Sequence, residues 1–427
     1  MRADPYRKIA ILNRSRLCCF LIMSIVDDLL CDEEWRRFKD YKLNGDHLTA
    51  QQKKELCDFV DNRRYMAAAV RLADGGFFGI PQKILVNKSN SVKKRTVYSF
   101  SPEENYIQKF IAFRLLDYDC IFSANLYSFR RDMGVKKAVT RLMRHPDINN
   151  MHSYKLDISD YFNSVSPDLI LPMLKEVLAG DKKLYCLLEA MLTEPCAAYE
   201  DGIVAAKKGI LAGSPISGFL ANLYLSELDA EFEKSGALYA RYSDDIIFFA
   251  DNETELNEYI RKVSAFLFEK KLEVNPKKIC RTLPREEWTF LGFSFRDSTV
   301  DISRVSKQKL KMKLRRKARA LYRWKIRKGA SDERAVRAFI RHFNKKFYSN
   351  DMPNEITWCR WYFPIITTDA GLKEIDAYMQ QCMRFIATGK QNKSQYNFRY
   401  SEMKSLGYRT LVNSYYDFKS RGAHQNV

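Results

Sequence analysis

Between Ala237 and Ala250 the chain reads ALYARYSDDIIFFA, which places two adjacent carboxylates between two apolar runs. Both runs are rich in strand-forming residues, and the polar break Ser243-Asp244-Asp245 predicts the tip of a β-hairpin. Neighbouring carboxylates repel each other, and a bound divalent cation would remove that cost. The alternative is a solvated turn that happens to contain two aspartates. Other residues of the chain distinguish a metal site from such a turn.

A second acid is predicted on a separate strand. The stretch Tyr154–Ser159 alternates with period two, so Leu156 and Ile158 share one face while Lys155 and Asp157 share the other. A charged aspartate within a core strand is costly unless it is paired or bound to metal. Two-metal phosphoryl transfer needs carboxylates from separate elements that converge on two cations. Asp157 and Asp244 are suitable donors if their strands are neighbours.

Composition narrows the class of protein. The chain has 427 residues, of which 46% are hydrophobic, so it is long enough for two or three domains. Ten cysteines without a Cys-x-x-Cys pair argue against a zinc module and a disulfide framework, and they favour a reducing cytoplasm. The apolar run Leu17–Val26 is too short to span a bilayer. It predicts a buried helix, or untranslated sequence if translation starts at Met23, and no other segment predicts a membrane span.

The positive charge is concentrated near the C-terminus. Residues 301–427 contain 28 Lys and Arg and 10 Asp and Glu, a net charge of +18. The net charge of the whole chain is +20. Leu310, Leu314, Ala318 and Leu321 form one apolar helical stripe, and the thirteen Lys and Arg from 304 to 328 have no acid among them. Such a run is often only a solvated helix face, but its imbalance favours nucleic acid. The predicted contacts are Arg304, Lys307, Lys311, Arg315, Arg316 and Arg319.

The remaining elements are predicted from periodicity and caps. A hairpin is expected over 83–98, where Lys93-Lys94-Arg95 could neutralise triphosphate oxygens. Ser101-Pro102 predicts the start of a helix that runs from about 103 to 118. Further helices are predicted over 27–75, 136–144, 169–192, 216–232 and 255–271. Helices that alternate with strands indicate an α/β or α+β body.

Taken in order, these blocks resemble the reverse transcriptases of the prokaryotic group II intron and retron lineage. Lys155–Phe162 resembles the first palm motif of that family, and Tyr242–Asp245 resembles its catalytic Tyr-x-Asp-Asp box. The resemblance implies a metal site formed by Asp157, Ile158, Asp244 and Asp245. It also implies that Phe162 excludes a ribose 2′-hydroxyl.

Further blocks of this family imply nucleotide-binding residues. Gly209–Ser217 resembles the motif that supports the template and the incoming nucleotide, so Gly213 and Ser214 are expected there, together with Lys94 and Arg95. Leu272–Lys278 resembles the motif whose lysine, here Lys278, protonates the departing pyrophosphate.

The fold implied by the resemblance is α+β, a right-hand polymerase with fingers, a palm built on an antiparallel sheet and a basic α-helical thumb. The expected domains are an N-terminal helical extension over 1–74, fingers over 75–153, palm over 154–300 and thumb over 301–427. The implied cofactor is two Mg²⁺ ions, with Mn²⁺ as a substitute. The implied substrates and product are dNTPs, an RNA template and DNA.

Departures from the family pattern leave several functions open. Leu211-Ala212-Gly213 stands where relatives commonly have Pro-Gln-Gly, and no Val-Thr-Gly block follows Phe295. No His-rich endonuclease block follows the thumb. The chain most resembles a compact antiviral, defence-associated reverse transcriptase that copies a structured noncoding RNA in the cytoplasm. The alternatives are an intron maturase or retron enzyme, a template-independent or protein-primed DNA polymerase, and an RNA scaffold without catalysis. The sequence leaves the oligomeric state unknown.

Overall fold

The computed structural model describes residues 24–45, 48–87, 94–193, 196–200, 202–205, 209–348, 357–390 and 392–423. The chain divides into two compact units, one made of residues 1–44 and 54–284 and the other of residues 45–53 and 285–427. Lys93, the alternative start at Met23 and most of the apolar run that begins at Leu17 lie outside the described residues. The boundaries predicted for fingers, palm and thumb stay a prediction.

Strands and helices alternate through the first unit, and helices dominate the second. The described strands are β1 Gln82–Asn87, β2 Lys94–Ser99, β3 His152–Asp157, β4 Cys196–Tyr199, β5 Gly202–Ala205, β6 Tyr239–Tyr242, β7 Asp245–Ala250, β8 Cys280–Thr282, β9 Trp288–Phe290, β10 Phe293–Arg296 and β11 Thr299–Ile302. The described helices are α1 Asp32–Asn44, α2 Ala50–Asp61, α3 Met66–Ala73, α4 Pro102–Leu115, α5 Val135–Met143, α6 Tyr161–Ser164, α7 Pro167–Val177, α8 Lys182–Thr193, α9 Ser217–Tyr224, α10 Ser226–Ser235, α11 Glu253–Glu269, α12 Arg304–Lys328, α13 Asp332–Tyr348, α14 Trp358–Tyr362, α15 Ala370–Thr388, α16 Tyr400–Ser405 and α17 Leu411–Ala423.

A four-stranded antiparallel sheet with the order β6-β7-β3-β8 carries the candidate site. Strand β3 has a partner on each side, and its Leu156 and Asp157 are both buried. Strands β6 and β7 form the predicted hairpin, and Asp245 is the first residue of β7. The predicted strand and hairpin are therefore confirmed, and they are neighbours in one sheet.

A second sheet, with the order β2-β1-β4-β5, lies in the same unit. Strands β1 and β2 pair antiparallel with Ile84 opposite Val97, which confirms the hairpin predicted over 83–98. Strand β1 also pairs in parallel with β4 through Gln82 and Ala198. The combination of helices with mainly antiparallel sheets confirms the α+β class.

Helix starts follow local capping chemistry. The Ser101 side chain accepts a hydrogen bond from the Glu104 amide at 3.2 Å, and α4 begins at Pro102 as predicted. The single helix predicted over 169–192 is instead two helices, because the Asp181 carboxylate accepts from the Leu184 amide and starts α8 anew. The helix predicted over 216–232 is also divided, and the break falls at Leu225.

The second unit contains the sheet β11-β10-β9 and the basic helix α12. Leu310, Leu314 and Ala318 are buried as the apolar stripe predicts, and Leu321 is half-buried. Lys325 continues the stripe, and its ammonium group reaches the Ala387 carbonyl at 2.6 Å and Asp332 at 2.8 Å. In the described part of the chain, no helix has the length and apolar character needed to cross a membrane.

Candidate active site

Three carboxylates lie at one end of the β6-β7-β3-β8 sheet. Asp157, the last residue of β3, is directly opposite Asp245, the first residue of β7. Asp244 lies in the tight turn between β6 and β7, and its carbonyl accepts a hydrogen bond from the Ile158 amide at 3.2 Å. The acids that the sequence predicts on separate elements are thus brought together.

The electrostatics of this cluster are unfavourable for three negative charges. Burial, followed by the nearby charge of Asp157, raises the pKa of Asp244. Burial and the charges of Asp244 and Asp157 raise the pKa of Asp245 to about 6. Raised pKa values in carboxylates that face one another are typical of a site that binds a cation or a proton.

Lys278 is the basic partner of the cluster. Its Nζ lies 2.5 Å from Oδ2 of Asp157, whose side chain is 5% exposed, whereas the Lys278 side chain is 54% exposed. A turn holds this lysine in place, because the Asn275 amide donates to the Asp157 carbonyl at 2.8 Å and the Lys278 amide donates to the Asn275 carbonyl at 3.0 Å. The lysine predicted to act on pyrophosphate therefore lies beside the first carboxylate.

The three acids are candidate ligands of a divalent cation. Among the residues that the structure describes, no three His, Cys, Asp or Glu side chains are already gathered into a metal-binding cluster. Carboxylate oxygens are nevertheless the ligands that Mg²⁺ prefers, and the mutual repulsion of Asp157, Asp244 and Asp245 is the cost that a cation would relieve. The side chains present fit such an ion, for which Asp157 would exchange its contact with Lys278.

A buried ion pair holds the hairpin formed by β6 and β7 in place. Arg241 of β6 and Asp229 of α10 are both fully buried. The guanidinium is bidentate, with Nε 2.8 Å from Oδ1 and Nη2 2.5 Å from Oδ2 of Asp229. The same guanidinium donates to the Ser243 carbonyl at 3.3 Å and to the Asn222 carbonyl at 3.0 Å. It therefore ties the turn that carries Asp244 to two helices.

A second set of hydrogen bonds fixes the same turn. Ser243 has a left-handed backbone with φ of 60°, and its amide donates to the Ser128 hydroxyl at 2.8 Å. Asn222 donates to the Ser128 carbonyl at 2.8 Å, and the two side chains also contact each other at 3.2 Å. Local sequence patterns do not predict that Ser128 and Asn222 hold this turn. The available signal was Arg241, a charged residue within an otherwise apolar strand.

The predicted nucleotide-binding residues lie on β2 and on the loop before α9. Lys94 and Arg95 are exposed. Burial raises the pKa of Asp244, and the charge of Arg95 opposes this rise slightly, so Arg95 lies within electrostatic reach of the carboxylate cluster. The Tyr98 amide donates to the Ala212 carbonyl at 2.7 Å, which joins this loop to β2. At Gly213, with φ of +107°, a Cβ would come within 2.8 Å of the Tyr98 carbonyl. Only glycine fits this close approach.

Ser214 and Phe162 have structural contacts in addition to their predicted roles. The Ser214 hydroxyl donates to the Gln108 side chain at 2.7 Å and is buried. Phe162 is half-buried, and its ring lies edge-on to Phe129 with centroids 6.1 Å apart. The Ser214 hydroxyl therefore fixes its loop against Gln108, whereas Phe162 is accessible on part of its surface.

The predicted nucleic-acid contacts on α12 fall into two groups. Lys307 and Lys311 are both bound to Glu374 at 2.7 Å, so each would have to exchange this partner for a phosphate. Arg304, Arg315, Arg316 and Arg319 are exposed. The nucleic-acid role of all six residues stays a prediction.

The comparison with protein families agrees with this geometry. Residues 86–295 match the family model described as reverse transcriptase (RNA-dependent DNA polymerase). This part of the chain is a reverse transcriptase domain, which confirms the resemblance and the polymerase fold predicted from the motifs.

Particular relatives are more distant. The chain is 24% identical to the retron Ec86 reverse transcriptase of Escherichia coli over 237 residues, which cover 53% of this chain and 66% of that protein. The chain thus spans just under two thirds of the relative's length. Among solved structures, apo telomerase from Candida tropicalis matches 78% of this chain and 59% of its own at 11% identity and a TM-score of 0.44. The RNA polymerase complex inside a dsRNA virus matches 64% and 28%, at 14% identity and a TM-score of 0.43. Structural similarity this low supports no statement about function.

Proposed function

We propose that this protein is an RNA-directed DNA polymerase that extends DNA on an RNA template with Mg²⁺ as its cofactor. The observation that carries the proposal is the cluster of Asp157, Asp244 and Asp245 at one end of an antiparallel sheet inside a reverse transcriptase domain. Paired Mg²⁺ ions would lower the pKa of the attacking 3′-hydroxyl and stabilise the triphosphate charge.

The chain's own residues then have distinct roles. Asp157 and Asp244 would hold the cations, and Asp245 would add negative charge next to them. Arg95 binds triphosphate oxygens, and Phe162 excludes a ribose 2′-hydroxyl. The 3′-hydroxyl gives its proton to water, its oxygen bonds to the α-phosphorus, and the bond from this phosphorus to the pyrophosphate oxygen breaks. Lys278 carries a proton on Nζ and donates it to the departing pyrophosphate.

The direct test is incorporation of dNTPs on an RNA template annealed to a DNA primer. The wild-type protein should extend the primer with Mg²⁺ or Mn²⁺, and chelation by EDTA should stop extension. The double variant Asp244→Ala with Asp245→Ala should be inactive. A matched control changes two exposed acids of the same unit, Asp251 and Glu258, to alanine and should retain activity. Equal extension by the two double variants would reject the proposal.

The proposal further assigns a structured noncoding RNA as the template, the cytoplasm as the location and antiphage defence as the role. The support is the resemblance of the motif order to compact defence-associated enzymes and the +18 charge of residues 301–427. The eight cysteines among the described residues are free thiols, in agreement with a reducing compartment. Plaque counts on cells that carry the gene with its flanking DNA should be lower than on cells with the Asp244→Ala variant, and equal counts would reject the defence role.

A retron reverse transcriptase is the second candidate, favoured by the 24% identity to the Escherichia coli enzyme. The two candidates differ in the RNA that they copy. Sequencing the RNA and DNA that co-purify with the protein, and comparing both with the flanking DNA, distinguishes a retron template element from another noncoding RNA.

A further inference from the structure

The second unit has a basic groove that is separate from the six predicted contacts on α12. The volume of this groove is about 640 Å³. The residues that line it are Arg337, Ile340, Arg341, Asn344, Lys345, Tyr348, Leu406, Gly407 and Arg409. No acidic side chain is among these described lining residues. We propose that this groove, here called the α13 groove, binds the sugar-phosphate backbone of an RNA strand.

The first wall of the groove is one face of α13. Arg337, Arg341 and Lys345 are spaced four residues apart, so they form a single stripe on the helix, about 6 Å between neighbours along its axis. All three are exposed, while Phe339 and Phe343 on the other side of the helix are buried. The buried phenylalanines therefore hold the helix in place, and the three basic side chains remain exposed.

The second wall is the segment Leu406–Thr410, which places Arg409 beside the stripe. The Asn344 side chain donates to the Gly407 carbonyl at 3.1 Å, which joins this segment directly to α13. Gly407 has φ of +93°, the left-handed geometry that ends α16.

The segment is also anchored on the side that faces the unit's interior. The buried carboxylate of Asp376 accepts from the Tyr408 hydroxyl at 2.9 Å and from the Leu411 amide at 2.9 Å. Arg409 thus projects from a short turn held on both flanks. A preorganised arginine loses less conformational entropy when it binds a phosphate.

The basic residues of the groove differ from the lysines of α12 in their partners. Lys307 and Lys311 are occupied by Glu374. In the described part of the chain, Arg337, Arg341 and Arg409 make no ion pair with an acid. Cations of this kind are available to release counterions from a polyanion.

An RNA strand fits the groove better than a membrane surface does. The two apolar lining residues, Ile340 and Leu406, are buried at 2% and 8% exposure, so the groove offers no apolar side chain for insertion into lipid. Its open form, with Arg337, Arg341 and Arg409 in the lining, suits the charged backbone of a nucleic-acid strand. The choice of RNA rests on the proposed function, since a reverse transcriptase needs an RNA template.

The test is equilibrium binding of a labelled 40-nucleotide single-stranded RNA of mixed sequence to the full chain, without dNTPs or divalent metal. This readout is independent of catalysis, so it remains informative if the protein does not polymerise. The double variant Arg341→Gln with Arg409→Gln should bind about tenfold more weakly at moderate salt, and the slope of log K against log salt should fall by about 1.4, for two phosphate contacts.

The matched control is Lys390→Gln with Lys393→Gln, which removes the same charge from exposed positions of the same unit outside the groove. It should bind the RNA like the wild type. Thermal unfolding of both variants checks that they fold, and photo-crosslinking of the wild type should attach RNA to the segment 337–348 or 406–410. Equal binding and equal salt slopes for the two double variants would overturn the proposal. Tighter binding of DNA of the same sequence, or binding only of phosphatidylserine vesicles, would also overturn it.

Discussion

Two clusters of charged residues lie close together in the first unit, and they differ in the ratio of negative to positive side chains. In the pair of Asp229 and Arg241, one carboxylate meets one guanidinium in a bidentate contact, and both are fully buried. In the cluster of Asp157, Asp244 and Asp245, three carboxylates have an ammonium group nearby, that of the half-exposed Lys278, which contacts only Asp157 of the three. The balanced pair is satisfied within the protein and supports the hairpin. The unbalanced cluster carries excess negative charge that suits an external cation.

The largest expected effect breaks the unbalanced cluster. Asp244→Asn should lower the rate of dNTP incorporation on the order of a thousandfold, because an amide replaces an anionic ligand. The free energy of unfolding should be unchanged or higher, since one repelling charge is removed. Primer extension and urea unfolding measure the two effects, and Asp251→Asn serves as the control. A large loss of stability in Asp244→Asn would contradict the contrast with the balanced pair.

Breaking the balanced pair should instead lower the free energy of unfolding. Asp229→Ala leaves Arg241 buried without its partner, and we expect a loss of about 3–5 kcal/mol in the free energy of unfolding. The double variant Asp229→Leu with Arg241→Met should regain most of this stability, because an apolar pair can replace a buried ion pair. It should not regain activity, since the hydrogen bond from Arg241 to the Ser243 carbonyl is lost. Activity that returns together with stability would show that Arg241 does not position the turn.

Substitutions at Lys278, the base in contact with Asp157, should lower the rate of dNTP incorporation. Lys278→Met should reduce the rate of incorporation about a hundredfold if its proton is transferred to pyrophosphate. Lys278→Arg should retain part of the rate only where proton transfer is not limiting, because arginine does not release its proton readily. The neighbouring exposed Lys277→Met is the matched control. Single-turnover measurements over a range of pH distinguish loss of proton transfer from a change in substrate affinity.

The sequence predicted the unbalanced cluster well and missed the balanced pair, for a physical reason. Asp157 and Asp244 belong to short motifs whose alternation and turn chemistry are local, so their strands and the hairpin tip could be derived from neighbouring residues. The contact of Arg241 with Asp229 depends on how α10 packs on β6, which period and propensity do not encode. The division of the helix predicted over 169–192 has a similar cause. Asp181 caps α8 and also accepts the Ser24 hydroxyl, 157 residues away in sequence.

Metal binding should change the stability of the protein by less than the loss of the buried ion pair does. At ten times its dissociation constant, a cation that binds only the folded state adds about 1.4 kcal/mol to the free energy of unfolding. Mg²⁺ should therefore raise the unfolding midpoint of the wild type and not that of Asp244→Asn. KCl at matched ionic strength controls for screening. An equal shift in both proteins would mean that the ion binds elsewhere.

The last prediction concerns the hydrogen bond between Ser128 and the turn that carries Asp244. Ser128→Ala removes the hydroxyl that accepts the Ser243 amide, and leaving this buried donor without a partner should cost about 1 kcal/mol in stability. Ser123→Ala is a matched control, because the Ser123 hydroxyl also accepts a backbone amide, that of Asn125, but does not contact the turn. We expect both variants to lose similar stability and only Ser128→Ala to incorporate dNTPs more slowly. If the two variants are equally active, the left-handed turn at Ser243 is held by Arg241 alone. The balanced pair would then position the carboxylates without help from Ser128.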